Sequence, residues 1–461
     1  MTQLRPTAPV KAGETRTAER VLLVIGVAAL GFNLRGTITS LPPVFPELQN
    51  ALRLSPTEVS VLAATPVICF AVFSGFGAWL SRRLGEERAL LIAIVAVTAG
   101  LLLRGAAPGA LLFPGTVLAA AAIAIMNVLL SSLIKRRWPE RAGMLIGLYI
   151  TALSVGAITG SVVSVPLWNG TGGSLALTLG WLAAPAALAA LLWLPQARYV
   201  TRPRPAPAIP GDPGPAAGTA ADVTSAPGEL DDAGALAAPA GSPPAALAPA
   251  RDGSPAPARP AGPPPAGGRV AVHKHALAWH VTLFMGLQSL LYYAALSWLP
   301  TILRDRGASA DTAGNLLALM GVGNLAVSLV IPIVAQRMRG QRALVVPTVF
   351  AMALGLAGVV YLPLGSAVAW VLILGAGQNA ALSLAIFFTM ARAPHAAAAA
   401  SLSSLAQAMG YLLASAGPLE VGLLHSATGS WNVPVAVLFV LNGVLLVAGL
   451  LAARDRVLPA A

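Results

Sequence analysis

The chain has 461 residues, of which 56% are hydrophobic and only 10% charged, and its formal net charge is +12. So little polar surface excludes a water-soluble protein of this size and points to an all-α polytopic membrane protein. The basic excess lies in short clusters between apolar runs, where it sets topology rather than binding nucleic acid, and the single cysteine, Cys69, can form neither an internal disulfide nor a metal cluster.

Residues 1–19 are polar with several basic side chains, as expected of a disordered cytoplasmic N-terminus. Apolar runs follow that can each cross ~30 Å of hydrocarbon, which takes about 20 residues. They lie near 20–45, 57–80, 88–106, 109–134, 141–167 and 174–195, giving an N-terminal six-helix bundle over 20–195. Residues 196–275 are dominated by Pro, Ala and Gly and cannot bury enough apolar surface to offset their ordering entropy, so they are expected to form a disordered cytoplasmic linker. Six more runs near 276–303, 311–336, 342–362, 366–391, 397–424 and 431–453 give a C-terminal bundle over 276–453, followed by a short cytoplasmic tail, 454–461.

Charge supports this count. Arg82, Arg83 and Arg88, Lys135 to Arg137 with Arg141, Arg337, Arg339 and Arg342, and Arg392 all fall in alternate connections, on the side of both termini. Arg53, Arg304 and Arg306, with Arg104, are assigned to the other side. The asymmetry predicts a multi-pass protein of the plasma (inner) membrane with both termini in the cytoplasm.

An internal repeat relates the halves. Leu80-Ser81-Arg82-Arg83-Leu84-Gly85 after the second span corresponds to Val334-Ala335-Gln336-Arg337-Met338-Arg339-Gly340 after the eighth, and Leu41-Pro42 ending the first corresponds to Leu299-Pro300 ending the seventh. Two such six-helix sets are the plan of a transporter that rocks two bundles around a central site.

The Gly77-Ala78-Trp79-Leu80-Ser81-Arg82-Arg83-Leu84-Gly85 turn resembles the signature loop of the major facilitator superfamily, with Ser81 where many members carry aspartate. More narrowly, Phe32-Asn33-Leu34-Arg35, Asn127-Val128-Leu129-Leu130, Gly147-Leu148-Tyr149, Gly286-Leu287-Gln288-Ser289-Leu290 and Gly410-Tyr411-Leu412-Leu413 are similar to the cyanate/nitroimidazole transporter family (CynX/NimT type). The resemblance implies the major facilitator fold, twelve transmembrane helices in two bundles with pseudo-two-fold symmetry. It also implies secondary active transport of a small polar or anionic solute (cyanate- or nitroimidazole-like, or a weak organic acid) by alternating access.

Arg35 is the focal residue. A guanidinium inside an apolar run is costly and normally faces a polar cavity or a partner; its planar fork suits a carboxylate or another small anion. The alternative is a structural arginine bonded to helix carbonyls or to Asn33. Aligning the Leu-Pro ends sets Tyr293 opposite Arg35, with Gln288 and Tyr292 on the same helix and Asn127 and Tyr149 on the N-terminal wall. In the second half Gln378, Asn379, Gln407 and Tyr411 are candidate substrate contacts, and interhelical hydrogen bonding is the competing role for the amides. Glu420, the one acid placed within a span, is the proton-coupling candidate. Arg82, Arg83, Gly85, Arg337 and Arg339 form the candidate gate loops, and Gly143, Gly147, Ser154, Gly156 and Gly160 a small-residue face for close helix packing.

No metal-ligand spacing, phosphate-cradling loop or nucleophile–base set is present, so no enzyme activity, metal or cofactor is expected. The expected partners are a small-molecule solute, with protons as a coupling candidate, and the lipid bilayer; a monomer suffices, since one set of twelve helices contains the whole site. A multidrug-type exporter of amphiphiles and a transport-dead sensor or scaffold are the alternatives.

Overall fold

Hydrocarbon offers the backbone no hydrogen-bonding partners, so an apolar span must satisfy its own N–H and C=O groups, and an isolated run does so as a helix. The computed structural model describes residues 12–138, 141–198, 272–328, 330–338 and 340–459, and among them has fifteen α-helices and no strand. They are α1 (Ala12–Thr39), α2 (Phe45–Leu52), α3 (Pro56–Leu84), α4 (Glu86–Ala106), α5 (Pro108–Arg137), α6 (Ala142–Gly170), α7 (Leu175–Gly180) and α8 (Ala183–Trp193) in the first half. The second half holds α9 (Ala276–Asp305), α10 (Ala310–Ser328), α11 (Val330–Arg337), α12 (Arg342–Tyr361), α13 (Ala367–Ala391), α14 (Ala396–Thr428) and α15 (Asn432–Ala452). Most of the expected linker and N-terminus, together with Arg339, lie outside the described residues.

Among the described residues, ten segments are long and apolar enough to cross a membrane. The expected eighth and eleventh spans are occupied by α10 with α11 and by α14, which are not among those ten; α14 is long but rich in Ala, Ser and Gly. Two expected spans differ in detail. The first stops at Thr39, because Pro42, Pro43 and Pro46 cannot donate to a continuing helix; the chain passes through a 3-10 turn, Pro42–Val44, into α2. The sixth is interrupted at Trp181 and Leu182, between α7 and α8.

The repeat is visible in the packing. In the first half α1 lies on α6 and α8, α4 on α5 and α8, and α3 on α5; in the second, α9 lies on α14 and α15, α12 on α13 and α15, and α10 on α13. The halves meet through α3 against α14 and α6 against α10, a reciprocal exchange consistent with a pseudo-two-fold axis. All of these helices belong to one compact unit.

The most buried helix is the least hydrophobic of the ten spans. In α9, 94% of the most apolar window is buried while its mean hydropathy is 1.2, the lowest of the ten. Gln288, Ser289, Tyr293 and Ser297 are buried along it. In a bilayer the apolar faces are free to meet lipid, so polar side chains are drawn to the centre of the bundle. Small residues let α1 and α6 approach closely: a Cβ at Gly36 would lie 2.9 Å from the Gly156 carbonyl oxygen, and one at Gly160 would lie 2.7 Å from Thr39 Oγ1.

At the end of the bundle opposite the basic connections, an ion pair joins the halves. Arg304 in the last turn of α9 places Nη1 2.7 Å from Glu47 Oε1 and 2.8 Å from Oε2 on α2. Beside it Phe45 packs on Trp298, with ring centroids 6.1 Å apart, and Trp298 Nε1 donates to the Pro418 carbonyl at 2.8 Å.

Candidate functional site

A cavity opening onto about 360 Å³ of space lies between the halves, walled by α1 and α6 on one side and α9 and α10 on the other. Arg35 and Thr39 contribute from α1, Ser154, Ala157, Ile158 and Ser161 from α6, Tyr292 and Leu296 from α9, and Leu317, Ala318, Met320 and Gly321 from α10. One part of the wall is therefore cationic and hydroxyl-bearing, and the rest is apolar.

The Arg35 guanidinium lies 5.0 Å over the centroid of the Tyr292 ring. Tyr292, Tyr293, Tyr411 and Tyr149 are its electrostatic neighbours, and no acidic side chain lines the cavity among the described residues. The aromatic ring supplies a cation with a quadrupole contact but no counter-charge. Tyr292 and Tyr293 meet edge to face at 5.1 Å, and Phe70 links Tyr293 and Tyr411 at 6.4 and 5.6 Å. Tyr149 donates its hydroxyl hydrogen to Asn127 Oδ1 at 2.5 Å, tying α6 to α5.

The structure thus gathers Arg35 with Tyr149, Tyr292, Tyr293 and Tyr411 and, through Tyr149, Asn127. It turns the amides elsewhere. Asn33 is buried against α8, donating to the Ala29 and Pro185 carbonyls at 2.9 and 3.3 Å, so it does not bond Arg35. Gln288 is buried beside Ser289 Oγ (2.6 Å) and the Met285 carbonyl (3.1 Å), Gln378 reaches the Leu291 carbonyl at 3.5 Å, and Asn379 is half-buried off the cavity wall. Exposed Gln407 donates to Ser403 Oγ at 2.9 Å, and Glu420 is exposed on α14, off the cavity.

Sequence reasoning did not single out Thr39 and Ser161, and treated Ser154 only as a packing residue. The spacing was available: Thr39 lies four residues after Arg35 and Ser161 seven after Ser154, so each pair shares a helix face. Thr39 Oγ1 and Ser161 Oγ both donate to the Ala157 carbonyl, at 2.9 and 3.0 Å, leaving their lone pairs as acceptors.

Arg104, assigned to the side opposite the basic connections, sits in the last turn of α4, 1% exposed, with Nε donating to the Leu179 carbonyl at 2.7 Å and Nη2 3.5 Å from Ser40 Oγ. It pins the α7 turn to the end of α1. At the basic end Arg82, Arg83 and Arg337 are exposed, and Arg83 covers the Trp79 ring at 5.0 Å. Gly85 turns the chain between α3 and α4 at φ +85°, a conformation that favours glycine. Although Ser81 replaces the usual aspartate, a carboxylate is supplied next door: buried Glu86 lies 2.9 Å from Arg136 and accepts from Ser132 at 3.2 Å.

Comparison with known proteins places this geometry in context. The profile of the Major Facilitator Superfamily matches residues 21–418. The chain is 32% identical over 438 residues to the 2-nitroimidazole transporter of Escherichia coli, covering 95% of this chain and 96% of that protein. It is 26% identical over 411 residues to the cyanate transport protein CynX of Escherichia coli, covering 89% and 91%. Among solved structures, the inward-facing, occupied form of a bacterial homologue of the human lysosomal transporter Spinster superposes with a TM-score of 0.68 at 16% identity, covering 96% of this chain and 99% of that one.

Proposed function

We propose that this chain, which belongs to the Major Facilitator Superfamily, is a secondary active transporter that moves a small polar or anionic solute by alternating access, with Arg35 as the anion anchor. The family and the named relatives are transporters, not enzymes. The observation that carries the substrate reading is the Arg35 guanidinium at the cavity wall, with tyrosines around it and no acidic side chain among the described lining residues. In a low-dielectric site such a cation gains most from a planar anion or an oxygen-rich group able to accept two of its hydrogen bonds. The hydroxyl oxygens of Thr39 and Ser161 accept from any N–H or O–H on the same solute, and Ile158, Leu296, Leu317 and Met320 cover its apolar part.

Both termini and the basic connections lie in the cytoplasm of an inner-membrane protein on this reading. The Glu47–Arg304 pair then holds the two halves together at the outer face. The apolar share of the wall supports a second reading, export of amphiphilic compounds.

The test is a thermal-shift screen of purified protein against cyanate, weak organic acids and nitroheterocycles, in parallel with Arg35→Ala. A ligand present at about 100 times its Kd stabilises the folded state by ~2.7 kcal/mol. An anion that shifts the wild type and not Arg35→Ala supports the anchor. Neutral amphiphiles that shift both equally, with anions shifting neither, sink it in favour of the exporter.

A further inference from the structure

We propose that Arg35 is a charge lock that makes this protein an obligate anion exchanger: the empty carrier does not reorient, and only an anion seated on the guanidinium lets the two halves rock. This rests on the reading that the cavity takes an anion, and it adds the mode of transport.

The inference starts from where the acids are. Among the described residues, those of the two bundles lie in or beside connections (Glu47, Glu58, Glu86, Glu87, Asp305, Asp311), except Glu420, which is exposed off the cavity. Glu47 is paired with Arg304, Glu58 is bonded to Ser55 at the start of α3, and Glu86 is paired with Arg136. None of these lines the cavity, so among the described residues no carboxylate there neutralises Arg35 or exchanges a proton with it. The side chains that do surround it are tyrosines rather than carboxylates, and the hydroxyl hydrogen of Tyr149 is already committed to Asn127.

Alternating access requires the cavity to close before it opens on the other side. While it is open, Arg35 is partly exposed at the cavity wall and can be hydrated. Closure presses Ile158, Leu296, Leu317 and Met320 around the guanidinium and removes that water, leaving an uncompensated charge in an apolar enclosure. A bound monoanion cancels the charge and satisfies the donors, so the loaded carrier closes without that penalty. Return with an empty cavity is blocked, and return with a second anion is allowed. One-for-one exchange of monoanions moves no net charge and needs no coupling ion.

The test uses the full-length protein with Cys69→Ala and a single reporter cysteine at a cavity-lining alanine, Ala318→Cys or, independently, Ala157→Cys. Right-side-out and inverted membrane vesicles are washed free of small anions, and an uncharged, membrane-impermeant maleimide is added from one face at a time. With Arg35 intact, the reporter is expected to react from one face only. Arg35→Gln, with Arg35→Met as a second neutral variant, is expected to react from both faces, and Arg35→Lys, which keeps the charge, from one. Reaction from both faces with Arg35 intact, or from one face in the neutral variants, overturns the lock.

A second arm adds cyanate as the probe. It is expected to restore two-face reaction in the Arg35 protein, and in proteoliposomes to make uptake against internal cyanate about tenfold or more faster than uptake into empty vesicles. Equal rates overturn exchange. If cyanate changes nothing in either assay, the choice of solute fails, while the ligand-free arm still decides the lock.

Discussion

Replacing Gly156 by alanine tests the packing that sets the width of the cavity. An added methyl would meet the Phe32 carbonyl carbon at 2.8 Å and its Cα at 3.0 Å, with the carbonyl oxygen nearer still. Carbon atoms settle about 3.5–4.0 Å apart, and these are backbone atoms of α1 that no rotamer can move, so the two helices must part by roughly 1 Å. Alanine gains about 1 kcal/mol over glycine in helix propensity, but overpacking a rigid contact costs about 1–3 kcal/mol and more when backbone must shift. The expected net loss is ~2 kcal/mol. Gly147 on the same helix is the control, since nothing lies within 4 Å of its Cβ position. Gly147→Ala should therefore keep only the propensity gain. In a chain of this size, with about 2 °C of Tm shift per kcal/mol, Gly156→Ala is expected to melt roughly 4 °C below wild type and Gly147→Ala at or slightly above it. Parting α1 from α6 also moves Ser154, Ala157 and Ser161 away from Arg35 and Thr39, so ligand stabilisation should weaken in Gly156→Ala alone. Equal melting temperatures for the two variants, or a more stable Gly156→Ala, would refute the argument.

The partly buried Glu47–Arg304 pair is intermediate between surface and core ion pairs, worth about 1–2 kcal/mol. Glu47→Gln or Arg304→Gln should accordingly raise maleimide reaction at a Val44→Cys reporter by roughly 5- to 30-fold; the charge-swapped double variant should recover part of the protection, and additive effects would speak against the pair. Arg104→Ala should destabilise the protein by about 2–4 kcal/mol through lost packing and an orphaned carbonyl, seen as a lower Tm, while reporter fusions keep their orientation; an inverted terminus would return Arg104 to a topological role. Glu420→Gln should leave the pH profile of uptake unchanged, because the side chain points away from the cavity; a flattened profile would restore the proton-coupling role.

Much of the architecture was legible because each span is a local property. A run of apolar residues must become a helix in lipid wherever it sits, and its ends follow from charge and proline, so the expected runs fall on helices even where a proline or a break divides them. The cost of burying a guanidinium likewise marked Arg35 without any knowledge of its neighbours. The amides were less transparent. Asn33, Gln288 and Gln378 carry the same chemistry whether they face a solute or a carbonyl, and on helices that are apolar on all sides no polar stripe indicates which way a residue points. The role of Arg104 was hidden for a related reason: near the end of a run, a charge in the headgroup region and a charge buried against a carbonyl look alike.

By itself the sequence determined that the chain is helical and membrane-embedded, built as two related halves, with a cation inside the apolar run of its first span. These depend on composition, run length and charge, which act residue by residue along the chain. Only the tertiary structure decided that Arg35 faces four tyrosines and, among the described residues, no acid, that Thr39, Ser154 and Ser161 complete its wall, and that Glu47 meets Arg304 across 257 positions of sequence. Such contacts depend on how the helices rotate and cross, and that is fixed by close packing at residues such as Gly36, Gly156 and Gly160, where a single added methyl would change the geometry.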